Sequence, residues 1–187
     1  TFSRSRPLVP LLVRHRAAIA PKDKNATEMK PDSYFTHSRG PRAILLIRIM
    51  VGCVFLSEGI QKFLEPAARG AGRFAKIGIP WPEVSGPLVG GMEIGCGILI
   101  LAGLATRIAA TPLILTMTAA LLSTKLPILL GYGFWGFQLR ELSNYGFWSM
   151  AHEARTDFAM LLGSIFLLLV GAGPWSFDSL IERRKRT

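Results

Sequence analysis

Eight ionisable side chains lie within or beside long apolar runs, where an unpaired charge would be costly. They are four carboxylic acids, three permanent cations and one histidine: Glu58, Lys62, Glu93, Lys125, His152, Glu153, Arg155 and Asp157. An ionised group facing lipid costs about 3 kcal/mol on insertion scales, so such groups turn inward and pair. Two uses are open: an ion-pair network that fixes which helices meet, or a polar pocket that binds or protonates a small molecule.

The spacing of these residues predicts some of their neighbours. Glu58 precedes Lys62 by four positions, the favourable order for an ion pair on one helix face. A second pattern is a stripe of small residues at helical spacing that includes one carboxylate: Gly86, Gly90, Glu93 and Gly97. Small residues allow helices to approach closely in a membrane. We therefore expect Glu93 to face another helix.

Aromatic residues are concentrated just before the last apolar run. The segment GYGFWGFQLRELSNYGFW, residues 131–148, contains YGFW twice. Tyr and Trp favour the membrane interface, because one part of the ring system is apolar and the other can form hydrogen bonds. The tryptophans Trp81, Trp135 and Trp148 are expected to anchor the chain there. The alternative is that they also form an aromatic lid over a pocket for a flat ligand.

The elements that position these residues are four apolar runs. Half of the chain is hydrophobic and 18% is charged. A helix of about 20 apolar residues crosses the hydrocarbon core, and the runs cover residues 43–64, 86–104, 108–130 and 158–175. They predict an all-α integral membrane protein with a four-transmembrane-helix bundle. An interfacial loop, 65–85, follows helix 1, and the aromatic-rich loop, 131–149, joins helices 3 and 4. A soluble bundle is disfavoured, because the last run has no polar face.

The net charge of +10 is concentrated at the two ends of the chain. Residues 1–42 form a basic, largely irregular arm, 43–175 the transmembrane domain, and 176–187 a basic tail. Basic ends beside membrane helices indicate how the helices are oriented in the membrane. We therefore expect no nucleic-acid partner. Both termini are predicted to be cytoplasmic. Arg48, near the start of helix 1, is expected to extend its side chain to the cytoplasmic interface.

Several cofactors are not expected. A bis-histidine haem b needs two histidines at membrane depth, but His15 and His37 lie in the arm and leave His152 alone. A zinc site needs three or four converging ligands, and no spacing provides them. We therefore predict no metal and no covalent cofactor.

Four phrases carry a family resemblance: LIRIMVGCVFLSEGIQKF, FAKIGIPWPE, GGMEIGCGILILAGLATR and GFWSMAHEARTDFAMLLG. Together they resemble the DoxX-like family of small four-helix bacterial and archaeal membrane proteins, over roughly residues 43 to 178. The resemblance implies a location in the inner membrane of a bacterium. Members are similar to the membrane subunit of thiosulfate:quinone oxidoreductase, and others associate with redox enzymes. The resemblance implies a quinone-linked or redox-accessory role, and it implies no set of catalytic residues.

The resulting hypothesis is an integral membrane subunit of a redox or respiratory assembly that holds a quinone or a similar small ligand near the outer face. Glu58, Glu93 and Asp157 are candidate proton acceptors, with Lys62, Lys125 and Arg155 as their charge partners. The expected partners are the lipid bilayer and a larger membrane complex or redox protein contacted by the arm. One alternative is a purely structural accessory subunit in such a complex. A small-solute carrier is a second alternative, although no inverted repeat is visible.

Overall fold

A computed structural model of the chain describes residues 41–186. The predicted N-terminal arm, apart from its last two residues, lies outside this range. The described part is built from four long and two short helices: α1 (Ile44–Leu64), α2 (Ala71–Ile77), α3 (Pro82–Ala102), α4 (Thr106–Leu130), α5 (Phe147–Val170) and α6 (Phe177–Arg186).

Three of these helices, α1, α3 and α4, are long and apolar enough to cross a membrane. This confirms the all-α class and three of the predicted spans. Helix α5 has 24 residues, but its first half contains Glu153, Arg155 and Asp157. That α5 forms the fourth membrane crossing therefore remains a prediction.

Helices α1 and α3 pack against each other through glycines. A Cβ atom added to Gly59 would lie 2.7 Å from the carbonyl oxygen of Gly90, and one added to Gly97 would lie 3.0 Å from that of Gly52. Close backbone approach of this kind gives membrane helices their packing energy. The predicted small-residue stripe on α3 is confirmed as a helix-facing surface.

The second close pair is α4 and α5, and an apolar core joins the two pairs. Its almost fully buried members come from all four long helices and include Val51, Phe55, Ile100, Leu113 and Leu167. Gly163 of α5 faces α1, since a Cβ atom there would lie 2.7 Å from a methyl group of Val51. The core therefore occupies the middle of a four-helix arrangement.

Helix α4 contains a π-helical turn at Leu121–Lys125, in which Leu126 N–H donates to the carbonyl of Leu121. Pro127 explains its position, because proline has no N–H to donate to the carbonyl four residues earlier. The turn inserts one extra residue and so changes which side chains face inward. Ser123 and Lys125 are both buried as a result.

One end of the bundle, called here the terminal end, holds residues 41–43, the turn 103–105 and residues 171–186. Arg48 is buried there, with 2% of its surface exposed. Its guanidinium donates to four carbonyl oxygens: Ile100 at 2.9 Å, Leu101 at 2.5 Å, Ala172 at 3.2 Å and Trp175 at 2.6 Å. The side chain extends toward the terminal end, as expected, but its guanidinium is buried among backbone carbonyls and does not reach water. These carbonyls, at and beyond the C-terminal ends of α3 and α5, have few donors of their own, and Arg48 satisfies them.

The opposite end, called the loop end, holds residues 65–81 and 131–146. The two predicted loops contact each other there, because Gln138 N–H donates to the carbonyl of Ile77 at 2.8 Å. Gly78 has a positive φ of 90° and passes close to the Gly136 carbonyl, so a side chain at Gly78 would not fit. The segment after α1 and the aromatic-rich loop are therefore in direct contact at the loop end.

Candidate functional site

A buried ion pair joins α1 to α3. The Nζ atom of Lys62 lies 2.5 Å from Oε2 of Glu93, and the two side chains are 10% and 2% exposed. Within residues 41–186, Lys62 is the one hydrogen-bond donor recorded for the Glu93 carboxylate. A carboxylate has room for about four such bonds, so most of its acceptor capacity is unused.

The glycine contacts explain how Lys62 reaches Glu93. They set an antiparallel register in which Glu93 lies near the level of Leu56, about 9 Å deeper along α1 than Lys62. Side chains on a helix slope toward its N-terminus, and for α1 this direction leads into the bundle. A lysine near a helix end would otherwise extend to water. Lys62 is instead turned inward, onto a carboxylate about 16 Å from the start of α3.

Glu58 does not form the predicted ion pair with Lys62, so that prediction is wrong. The Lys62 ammonium lies 3.5 Å from the backbone carbonyl of Glu58. Its shorter contact, at 2.5 Å, is with the Glu93 carboxylate. Glu58 is half-buried and lies close enough for its charge to act on Glu93. Two carboxylates and one ammonium group therefore share this part of the α1–α3 interface.

A second buried pair joins α4 to α5. Nζ of Lys125 lies 3.2 Å from Oδ2 of Asp157, and the side chains are 9% and 25% exposed. Lys125 is the last residue of the π-helical turn, which directs it inward. Lys125 and Asp157 were both candidate residues in the sequence, but nothing in the sequence showed that they would pair with each other.

Glu153 lies one helical turn before Asp157 and contacts the aromatic-rich loop. Its Oε2 atom is 3.1 Å from the guanidinium of Arg140, in a pair that is largely exposed on the arginine side. Sequence reasoning did not select Arg140. Its position in the loop just before α5 could have indicated that Arg140 lies near the acidic residues at the start of that helix.

An open depression of about 570 Å³ lies at the start of α5. Its wall combines loop residues with the first turns of the helix: Leu142, Ser143, Asn144, Tyr145, Phe147, Trp148, Ser149, His152 and Glu153. The Tyr145 hydroxyl accepts from the Leu142 N–H at 3.2 Å, which holds the loop in place. Phe147 and Trp148 meet edge to face, with ring centroids 5.2 Å apart. Flat rings and titratable groups thus line one concave surface.

The three tryptophans of the predicted lid have different locations. Trp81, Trp135 and Trp148 are 81%, 88% and 83% exposed. Of these, Trp148 lines the depression, together with Tyr145 and Phe147. Trp81 precedes α3 and Trp135 lies in the loop, and neither is part of its wall. Within the described residues, Trp148 therefore borders an open depression, and Trp81 and Trp135 lie outside it.

The remaining candidates are His152 and Arg155. His152 lines the depression and is exposed. The exposed Arg155 guanidinium donates to the carbonyl of His152, within its own turn. Seven of the eight selected residues are therefore divided among the α1–α3 interface, the α4–α5 pair and the depression, and Arg155 is in none of these groups. Within residues 41–186 no ion pair joins one group to another. Between residues 41 and 186 no three His, Cys, Asp or Glu residues are grouped in a way that could hold a metal ion.

Comparisons with known proteins place these residues in context. The family model described as DoxX matches residues 43–126. The chain is 51% identical over 148 residues to the uncharacterized membrane protein Rv3486 of Mycobacterium tuberculosis, covering 79% of this chain and 86% of that protein. It is 28% identical over 144 residues to a Bacillus subtilis protein named "Putative oxidoreductase CatD", covering 76% of this chain and 89% of that protein. No solved structure matches the chain.

Proposed function

Because this chain belongs to the DoxX family of multi-pass membrane proteins, we propose that it is a membrane subunit of a redox assembly and that its loop end binds a quinone. The observation that carries the proposal is the position of the aromatic depression. It opens one helical turn along α5 from the buried Lys125–Asp157 pair. The name of the Bacillus subtilis relative is consistent with redox chemistry.

The proposal includes α5 as a fourth membrane span. Its 24 residues extend about 36 Å, enough to cross the hydrocarbon core. Two of its three charged residues have partners, since Asp157 pairs with Lys125 and Glu153 with Arg140. Pairing reduces the cost of placing them in or near lipid. Four crossings put both termini on one side, and their basic residues favour the cytoplasmic side of a bacterial inner membrane.

The depression has the chemistry that a quinone head group requires. Tyr145, Phe147 and Trp148 offer flat apolar faces against which a planar ring stacks. His152, at the same wall, can donate a hydrogen bond to a quinone carbonyl. The isoprenoid tail of a quinone is apolar, and the exposed apolar side chains of the long helices suit it.

The carboxylates of α5 supply a route for protons. Reduction of a quinone to a quinol takes up two electrons and two protons. In this proposal the electrons are exchanged with a redox protein of the assembly, and the protons pass through this subunit. Glu153 stands at the wall of the depression, and Asp157 follows one turn deeper. Lys125 holds the Asp157 carboxylate in place through their ion pair.

A structural role in a larger membrane complex is the second candidate. Each buried ion pair connects two neighbouring helices, Lys62–Glu93 between α1 and α3 and Lys125–Asp157 between α4 and α5. A network that only fixes helix pairing would have this arrangement. In that case the residues of the depression would be replaceable without loss of function.

Quinone binding can be measured by quenching of tryptophan fluorescence with a short-chain quinone in detergent. The wild type should show saturable quenching, and Trp148→Phe should lose most of it. Trp175→Phe is the matched control, because Trp175 lies at the terminal end, and it should retain the saturable component. Quenching that never saturates, or that falls equally in both variants, would contradict the proposed site.

A further inference from the structure

The C-terminal helix α6 exposes apolar and basic side chains that have no part in the proposed quinone site. We infer that α6, with Trp175 and Arg42, forms a binding site for anionic phospholipid head groups at the terminal end. This inference is independent of quinone binding. It depends on the position of α6, the direction of its apolar face and the charges that follow.

Helix α6 is fixed at the level where the membrane spans end. The Asp178 carboxylate accepts the N–H of Ala105 at 2.8 Å and of Thr106 at 3.2 Å, at the start of α4. The Asp178 N–H donates to the carbonyl of Gly103 at 3.0 Å. Ser176 caps the helix, because its hydroxyl accepts the N–H of Ser179 at 3.2 Å. The helix is therefore held beside the short α3–α4 turn, where hydrocarbon gives way to head groups.

The two faces of α6 have different surroundings. Asp178 and Ser179 are buried against the bundle. Phe177, Leu180 and Ile181, spaced three and four residues apart, are exposed on the side away from it. An apolar face directed away from the protein at this level has lipid as its natural neighbour.

Basic residues follow the apolar face along α6, and another basic residue lies beside Trp175. Arg183 and Arg184 are exposed, and Lys185 and Arg186 continue the basic run in the sequence. Arg42, from the start of the described chain, lies 5.3 Å from the ring centroid of the exposed Trp175. Clustered basic residues next to a membrane span attract anionic lipid, and Trp marks the head-group level.

Brominated lipids test the inference in the full-length protein, because bromine quenches only nearby tryptophans. Two single-tryptophan proteins are reconstituted into vesicles of phosphatidylcholine and phosphatidylglycerol, one retaining Trp175 and the other Trp148. Trp175 should be quenched more by brominated phosphatidylglycerol than by brominated phosphatidylcholine at equal mole fraction. Trp148, at the loop end, should respond equally to both lipids.

The charges are tested by R183Q/R184Q, which should lower the phosphatidylglycerol preference of Trp175 roughly fivefold or more, given the usual attraction of each basic residue to an anionic surface. R73Q/K76Q, on α2 at the loop end, is the matched control and should leave it unchanged. About 1 M salt, where the Debye length is about 3 Å, should weaken the preference in the unmodified chain even if the double variant does not fold. Equal quenching by both lipids, or a preference insensitive to salt, would overturn the inference and favour a protein partner for α6.

Discussion

The terminal end and the loop end both bury charge, but they do so in different ways. Arg48 donates to four carbonyls, and Asp178 accepts two backbone N–H groups. Glu93 accepts one recorded hydrogen bond, from Lys62. Charges that make several hydrogen bonds to backbone groups are expensive to move and stabilise the fold. A carboxylate with a single partner retains hydrogen-bonding capacity. Glu93 lies inside the α1–α3 interface, and we place function at the loop end because the aromatic depression opens there.

The largest expected effect is at Arg48. Arg48→Met should lower the free energy of unfolding by about 4 kcal/mol, because it leaves buried carbonyls without a donor. Thermal unfolding in detergent, followed by circular dichroism, measures the loss. Arg73→Met, on the exposed face of α2, is the control and should be close to wild type. A stable Arg48→Met protein would remove the distinction between the two ends.

The next effect is at the Lys62–Glu93 pair. Glu93→Gln should cost about 3 kcal/mol, since it leaves the Lys62 ammonium buried without a counter-charge. The double variant E93Q/K62M should recover much of that stability, because no isolated charge remains. Glu65→Gln, which breaks the exposed Arg69–Glu65 pair, should change stability by at most about 0.5 kcal/mol. A double variant no more stable than Glu93→Gln would show that the pair does not act as a unit.

A smaller effect is expected at the glycine contact between α1 and α3. Gly59→Ala places a Cβ atom 2.7 Å from the Gly90 carbonyl and should cost roughly 1–3 kcal/mol through overpacking. Gly91→Ala is the matched control, because a Cβ atom there meets nothing within 4 Å. Unfolding midpoints of the two proteins give the comparison. Equal midpoints would mean that the glycine register does not bring Lys62 to Glu93.

The apolar runs predicted α1, α3 and α4 to within about four residues, because a membrane span needs an uninterrupted apolar length. The glycine stripe also predicted that Glu93 faces a helix. The partner of Lys62 was missed, since four-residue spacing considers only one helix. Two equal intervals, between Gly52 and Gly59 and between Gly90 and Gly97, could have indicated the antiparallel register.

The burial of the Arg48 guanidinium was missed for a different reason. Its depth along α1 fits a side chain that reaches the interface, and its four acceptors are backbone carbonyls that carry no sequence signal. The π-helical turn that directs Lys125 inward is likewise a consequence of Pro127 within one particular helix packing. Features of this kind depend on tertiary contacts between distant segments, and periodicity within a segment does not contain them.

Photoaffinity labelling with an azidoquinone tests the central claim most directly. Membranes containing the full-length protein are illuminated with the probe, digested with trypsin and analysed by mass spectrometry. The account predicts that label concentrates in the peptide between Arg140 and Arg155, which carries the wall of the depression, and that excess unlabelled quinone displaces it. Label spread over the lipid-facing sides of the helices, or concentrated near Trp175 at the terminal end, would contradict the account.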